Sequence, residues 1–223
     1  MSLSRRRSGL GSVVIAACLL IGCGKEPAAE ERANDATILE QYLDEYPELV
    51  QNHGQWHSEN HRAEPDYGDY FLGFHHRVLL RYDTWRVEHG YAPLEAWDPG
   101  TPIPASAPHA GRASADPSAV DPLCRLPSWF TLEGGDARDP DFGAGRLIEF
   151  VSSNQLGRAL DSQTDPAWHT RVHATIGGDL ENAHRVVLDP IFWNFHKFID
   201  DLWGEWQTAT GQLDPQYTTT ASP

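Results

Sequence analysis

Four stretches of this chain set histidines on faces that are otherwise apolar, and a helix is the local structure that gathers residues at those spacings. In "DPIFWNFHKFIDDLWGEWQ", residues 189–207, successive side chains turn by about 100°. Phe192, Phe195, Ile199, Trp203 and Trp206 then share a stripe roughly 80° wide. His196 lies at the edge of that stripe, and Asp200 stands one turn further on. Asp189 is placed to cap this helix and Pro190 suits its first turn. "YFLGFHHRVLLRYDTWRVEHG" predicts a second helix from Tyr70 to Glu88, ending at Gly90. Phe71, Val78, Tyr82 and Trp85 form its stripe; His75 falls on it, and His76 lies about 100° further round. "WHTRVH" puts His169 and His173 on one face, and "NHGQWHSENH" makes a ladder of His53, His57 and His61.

The order along the chain is pair, single, pair, single. A lone inward histidine is ordinarily a hydrogen-bonded core residue. The repetition of the pattern points instead to two metal sites of three imidazoles each, because imidazoles one turn apart can share an ion. The interiors of the pairs, "GQW" and "TRV", lack the glutamate of a zinc protease. The Glu-x-x-His pattern of carboxylate-bridged di-iron bundles is not seen on four helices either. An all-imidazole set without thiolate suits copper, and two cuprous ions can give dioxygen two electrons.

The remaining segments predict a mainly α fold with long irregular loops. Residues 37–62 alternate in a helical rhythm that Pro47 divides into two helices, and "AEPDYGD" reads as a loop. Residues 92–141, rich in Pro, Ala, Ser, Gly and Asp, predict a long irregular insertion, a candidate cover for the site. "GAGRLIEFVSSNQLGRAL" starts one or two helices, and "DPAWHTRVHATIGG" is a short helix closed by two glycines. Residues 212–223 read as a disordered tail.

The first residues belong to targeting. "MSLSRRRSGLGSVVIAACLLIGC" has a basic start, an apolar run and "LIGC". It resembles a bacterial lipoprotein signal over residues 1–22, with Cys23 lipidated and residues 23–36 a flexible tether. Gly24 after the cysteine implies the outer membrane, so the expected location is the cell envelope. The full chain of 223 residues carries a formal charge of −15. Loss of Arg5, Arg6 and Arg7 with the signal makes it more acidic, which argues against nucleic acid as a partner. Cys124 is left alone, with no disulfide framework or cysteine zinc site.

The quoted motifs resemble those of the tyrosinase and haemocyanin superfamily. "DPIFWNFHKFIDDLWGEWQ" is similar to its copper-B helix, the single histidine before lysine being haemocyanin-like. "HTRVHATIGG" is similar to the first copper-B motif, and "FLGFHHRVLLRYD" to a copper-A helix. The resemblance runs from about residue 46 to 207, with a gap over the central insertion. It implies a four-helix core around a di-copper centre. Its copper-B ligands would be His169, His173 and His196, and its third copper-A ligand His75. The "HGQWH" spacing gives His53 and His57 as the first two; a tyrosinase-like arrangement would take His61 as the second.

The resemblance also implies oxidation of phenols or catechols to quinones with dioxygen, on a small phenolic substrate. Members that hydroxylate monophenols often carry Asn after the first copper-B histidine and a glutamate about eight residues before it, which together orient a water. Those positions are Thr170 and Asp161 here, candidates for a catalytic role, Asp161 as proton acceptor. The change favours diphenol over monophenol oxidation. Two alternatives stay open: a haemocyanin-like dioxygen binder without turnover, closed by Phe195 or by the insertion, and a non-catalytic copper-binding lipoprotein. Asp200 is a candidate acceptor for a ligand's second ring nitrogen.

Overall fold

The computed structural model describes residues 35–112, 124–161 and 167–213. The expected signal peptide, Cys23, most of the tether and most of the tail lie outside those residues. Six α-helices follow in order: α1 Asp35–Glu45, α2 Leu49–Glu59, α3 Tyr67–Glu88, α4 Ser153–Leu160, α5 Trp168–Ile176 and α6 Pro190–Thr210. The described residues contain no strand, as the mainly α reading requires. No helix among them is long and apolar enough to cross a membrane.

The helix boundaries follow from local chemistry. Pro47 removes a backbone donor and separates α1 from α2. The Ser152 hydroxyl caps α4 by accepting from Gln155 N. The Asp189 carboxylate caps α6 by accepting from Ile191 N at 2.9 Å, with Pro190 behind it. Gly211, at φ +70°, closes α6 in the left-handed conformation.

One boundary departs from expectation. α3 starts at Tyr67, so "YGD" belongs to the helix and not to the preceding loop. Gly68 is there for packing: a Cβ on it would sit 2.0 Å from Asn154 O, and a Cβ on Gly157 would sit 2.2 Å from Gly68 O. Two glycines let α3 and α4 cross with their backbones in contact, and tertiary packing overrides the low helix propensity of glycine.

α1, α3 and α6 meet in an aromatic cluster. Tyr42 lies 4.6 Å from Tyr82 and 5.7 Å from Trp193 between ring centroids. The α6 stripe of Phe192, Phe195, Ile199, Trp203 and Trp206 is buried throughout. Each such side chain removed from water is worth about 1.5–3 kcal/mol before entropy is counted.

The described part of the insertion is irregular, with a short 3-10 turn at Ser128–Phe130. It is nevertheless strapped to the core. Trp97 N donates to Asn194 O at 2.9 Å, and Asn194 Nδ2 donates back to Glu95 O at 2.8 Å. Arg112 forms a two-pronged ion pair with the buried Asp189. Leu94, Trp97, Ala107, Cys124 and Phe130 are core residues.

Candidate metal centre

Each helical histidine is delivered by a simple device. α2 places His53 and His57 one turn apart, α3 supplies His75, α5 supplies His169 and His173, and α6 supplies His196. The side chains form two groups, His53–His57–His75 and His169–His173–His196, and within each group the ligand atoms lie within 4.8 Å of one another. The groups adjoin: the rings of His75 and His196 stack at 4.4 Å, 17° from parallel. His61 is exposed and outside both groups. His76 points elsewhere and pairs with Asp200 at 2.7 Å. That contact corrects the expectation that Asp200 supports a ligand; the helix face it shares with His196 did not reveal that His76 stands nearer.

The second ring nitrogens define the tautomers. Nδ1 of His53 faces Ala183 O at 2.8 Å, and that of His173 faces Leu180 O at 2.9 Å. Nδ1 of His75 faces Phe71 O and that of His196 faces Phe192 O, each one turn back at 2.8 Å. A carbonyl only accepts, so these nitrogens carry the proton and each Nε2 is a bare lone pair. The Leu180 carbonyl is aimed by Gly177 and Gly178, both at positive φ, which is why two glycines follow α5.

His169 differs, since its Nδ1 donates to the carboxylate of Asp161 at 3.1 Å. His57 is half-buried, and its ring has no hydrogen bond to a described residue.

The bare nitrogens point at one another. Nε2 of His169 lies 3.0 Å from that of His173 and 3.1 Å from that of His196; Nε2 of His75 lies 3.4 Å from that of His53. Facing lone pairs repel unless something positive sits among them. Protonation is a poor remedy: burial, reinforced by neighbouring imidazoles, pushes His53 down to about 3 and His57 down to about 4. The same causes hold His75, His173 and His196 well below the usual histidine value. Two groups of three imidazoles in apolar surroundings, five of them held in the neutral form, therefore fit two copper ions as ligand sets.

An open-mouthed cavity of about 730 Å³ reaches both groups. His53, His57, His169 and His173 form its floor, with Arg62, Thr170, Ala174 and Glu181 on the walls. Phe195 is absent from the lining; it lies fully buried and stacks on His169 at 5.7 Å. No described residue of the 92–141 insertion lines the cavity either, so neither expected cover is in place among the described residues.

Asp161 and Thr170 lie together beside His169. Asp161 is fully buried and saturated. Arg62 donates to it twice, at 2.7 and 3.0 Å, Tyr67 OH at 2.5 Å, Thr170 Oγ1 at 3.2 Å, and His169 completes the set. Burial works to raise this carboxyl, but the surrounding donors and the Arg62 charge hold it well below the usual carboxylate range. Burial and Asp161 together push the Tyr67 phenol up. Arg62 and Tyr67 were not found from sequence, because they lie 99 and 94 residues from their partner.

Comparison with known proteins points the same way. Residues 137–209, which contain α4, α5 and all but the last residue of α6, match the common central domain of tyrosinase. The chain is 37% identical to the tyrosinase HcTyr1 of Hahella sp. (strain CCB-MM4) over 86 residues, 39% of this chain and 17% of that protein. It is 46% identical to a tyrosinase of Streptomyces antibioticus over 39 residues, 18% of this chain and 14% of that protein. The matched stretches thus span less than a fifth of either relative.

Proposed function

Because the chain belongs to the tyrosinase superfamily of type 3 copper proteins, whose centre is di-copper, we propose that it uses dioxygen to oxidise phenolic compounds to quinones, catechols in preference to monophenols. The observation that carries this reading is the cavity. It is large enough for a single aromatic ring, it opens to solvent, and histidines from both groups form its floor.

Two copper ions held there would supply the two-electron exchange with dioxygen. Each catechol gives up two electrons and two protons, and two catechols convert one dioxygen to two waters. The protein's share is arrangement. Backbone carbonyls and Asp161 fix the five anchored rings, so little reorganisation is left when metal and substrate arrive. Phe71 packs on His75 and His169, and Phe192 on His53 and His196, closing the inner side to water.

The preference for catechols rests on Asp161 and Thr170. In the resemblance drawn above, monophenol hydroxylation depends on a water held between those two positions. Here the Nη2 of Arg62 bonds both Asp161 Oδ1, at 2.7 Å, and Thr170 Oγ1, at 3.0 Å. Five donors leave Asp161 no lone pair to offer an incoming phenol. A catechol, with two adjacent hydroxyls, depends less on such a base. The open cavity also favours turnover over a closed dioxygen carrier.

The anchor expected at Cys23, with a place in the cell envelope, is part of the proposal. Mass analysis of the N-terminal peptide from membranes tests it.

The main test is oxygen uptake and quinone absorbance of the copper-loaded protein with 4-methylcatechol and with 4-methylphenol. We expect quinone from the catechol and little from the phenol. Two bound coppers without oxidation of either compound would leave the dioxygen-carrier reading in its place.

A further inference from the structure

Five of the six histidines have a fixed second nitrogen, and four of those five use a main-chain carbonyl. Only His169 uses a side chain, and that side chain bears a charge. A carboxylate partner makes an imidazole a stronger electron donor than a carbonyl partner does. Left alone, Asp161 would make the His169 group electronically unlike its neighbour. It is not left alone: Arg62 closes on both of its oxygens, at 2.7 and 3.0 Å. The pair is asymmetric in exposure, with the Asp161 side chain fully buried and that of Arg62 39% exposed on the cavity wall.

We propose that Arg62 is a positioning residue for the metal centre. Through Asp161 it holds the His169 ring in place and restrains that ring's donor strength, so that Arg62 and Asp161 set the redox balance of the copper held by His169, His173 and His196. The inference rests on the two-copper reading and extends it to a residue outside the histidine set. Arg62 reaches the carboxylate through a planar fork, with Nε and Nη2 each meeting a different oxygen. Lysine can restore the charge but not the fork. Tyr67 adds a neutral donor to the oxygen that His169 does not use, which holds the carboxylate's plane without altering its charge.

The two partners should therefore act with opposite sign. Asp161→Asn removes the negative charge from His169 and keeps an acceptor; it should raise the Cu(II)/Cu(I) midpoint potential. Arg62→Gln bares the carboxylate and should lower it. Arg62→Lys should fall between Arg62→Gln and wild type.

The experiment is redox titration of the copper-loaded full chain, with chelator-competition binding of cuprous ion to the apo protein. We expect Asp161→Asn to weaken one of two copper equivalents by about 10–100-fold and leave the other near wild type. Far-ultraviolet circular dichroism checks folding. If Asp161→Asn does not fold, the two Arg62 variants, altered at a half-exposed position, still give the order of potentials. Shifts of the same sign, or no shift with copper content retained, would overturn the proposal. If wild type holds a single copper, the sign test still decides the matter when that copper sits on the His169 group, and a single copper on the His53 group overturns the proposal. A wild-type protein that binds no copper overturns this inference and the two-copper reading together.

Discussion

Nε2 of His169 and Nε2 of His173 stand 3.0 Å apart, while the Nδ1 atoms of the same rings point outward to the Asp161 carboxylate and the Leu180 carbonyl. Two acceptors are thus held face to face by donors fixed behind them. The α5 helix presents them one turn apart, and α6 brings His196 against them at 3.1 Å.

His196→Ala removes one corner of that group. Copper content should fall from two to one per chain and catechol oxidation should disappear. The neighbouring double histidine supplies the control: His76→Ala removes the contacts with Asp200 and the Trp203 ring, touches neither histidine group, and should keep two coppers. Metal analysis of the purified variants decides it, and loss of copper in the His76 variant would mean that the ligand of the "HH" pair is misassigned.

The apo protein should lose stability as acidity rises, in a window set by its histidines. The folded pKa values of His53, His57, His75, His173 and His196 lie below the ordinary value near 6.5, at about 3 for His53 and about 4 for His57. Below pH 6.5 the unfolded chain therefore binds protons that the folded chain refuses, and stability falls with falling pH until the folded values are reached. The melting temperature of the apo protein should drop steadily from pH 7 to pH 4. Asp161, whose carboxyl is also depressed, adds its loss only below the ordinary carboxylate value. A flat profile between pH 7 and pH 5 would contradict the burial of these rings in neutral form.

Gly157→Ala should be costly although alanine is the better helix former. Its Cβ would meet Gly68 O at 2.2 Å, so α3 and α4 must separate. Overpacking of this kind costs about 1–3 kcal/mol. Asp161 follows α4 directly, so copper affinity at the His169 group should fall with it. Denaturant titration and metal binding measured together check both parts; unchanged stability would mean that the helices do not cross at these glycines.

Asp189 does two jobs, capping α6 through Ile191 N and pairing with the buried Arg112. Asp189→Ala abandons a buried guanidinium and should cost about 3–5 kcal/mol. Asp189→Asn keeps the cap and should be milder. Equal losses for the two would assign the whole effect to the ion pair with Arg112.

Ala174 stands exposed on the cavity wall, next in sequence to His173. Ala174→Phe should narrow the approach without touching a ligand. Copper content should remain at two, and KM should rise more for a bulky 4-tert-butylcatechol than for catechol itself. A proportional change for both compounds would place the substrate elsewhere.

Much of this was open to reading in the sequence. Helical periodicity alone distinguished His75 from His76 and put His196 on the inner face, because a helix fixes direction within a few residues. The "HGQWH" and "WHTRVH" spacings gave the two pairs for the same reason. What escaped depends on contacts between distant segments. Gly68 looked like a loop residue until its crossing with Gly157 was seen. Arg62 and Tyr67 carry no local mark that they converge on Asp161. Asp200 shares a face with His196, but a helical wheel cannot tell which neighbouring helix it meets. The insertion was expected at the mouth, whereas Trp97, Glu95 and Arg112 tie it to α6.

The carbonyls behind His53, His75, His173 and His196 belong to Ala183, Phe71, Leu180 and Phe192. A main-chain oxygen is present whatever side chain its residue bears. Substitution at those four positions can change packing yet cannot delete the acceptor that orients the ring. The centre is thus insulated from drift in much of the sequence around it, and its vulnerability to mutation is concentrated at one acidic residue, Asp161.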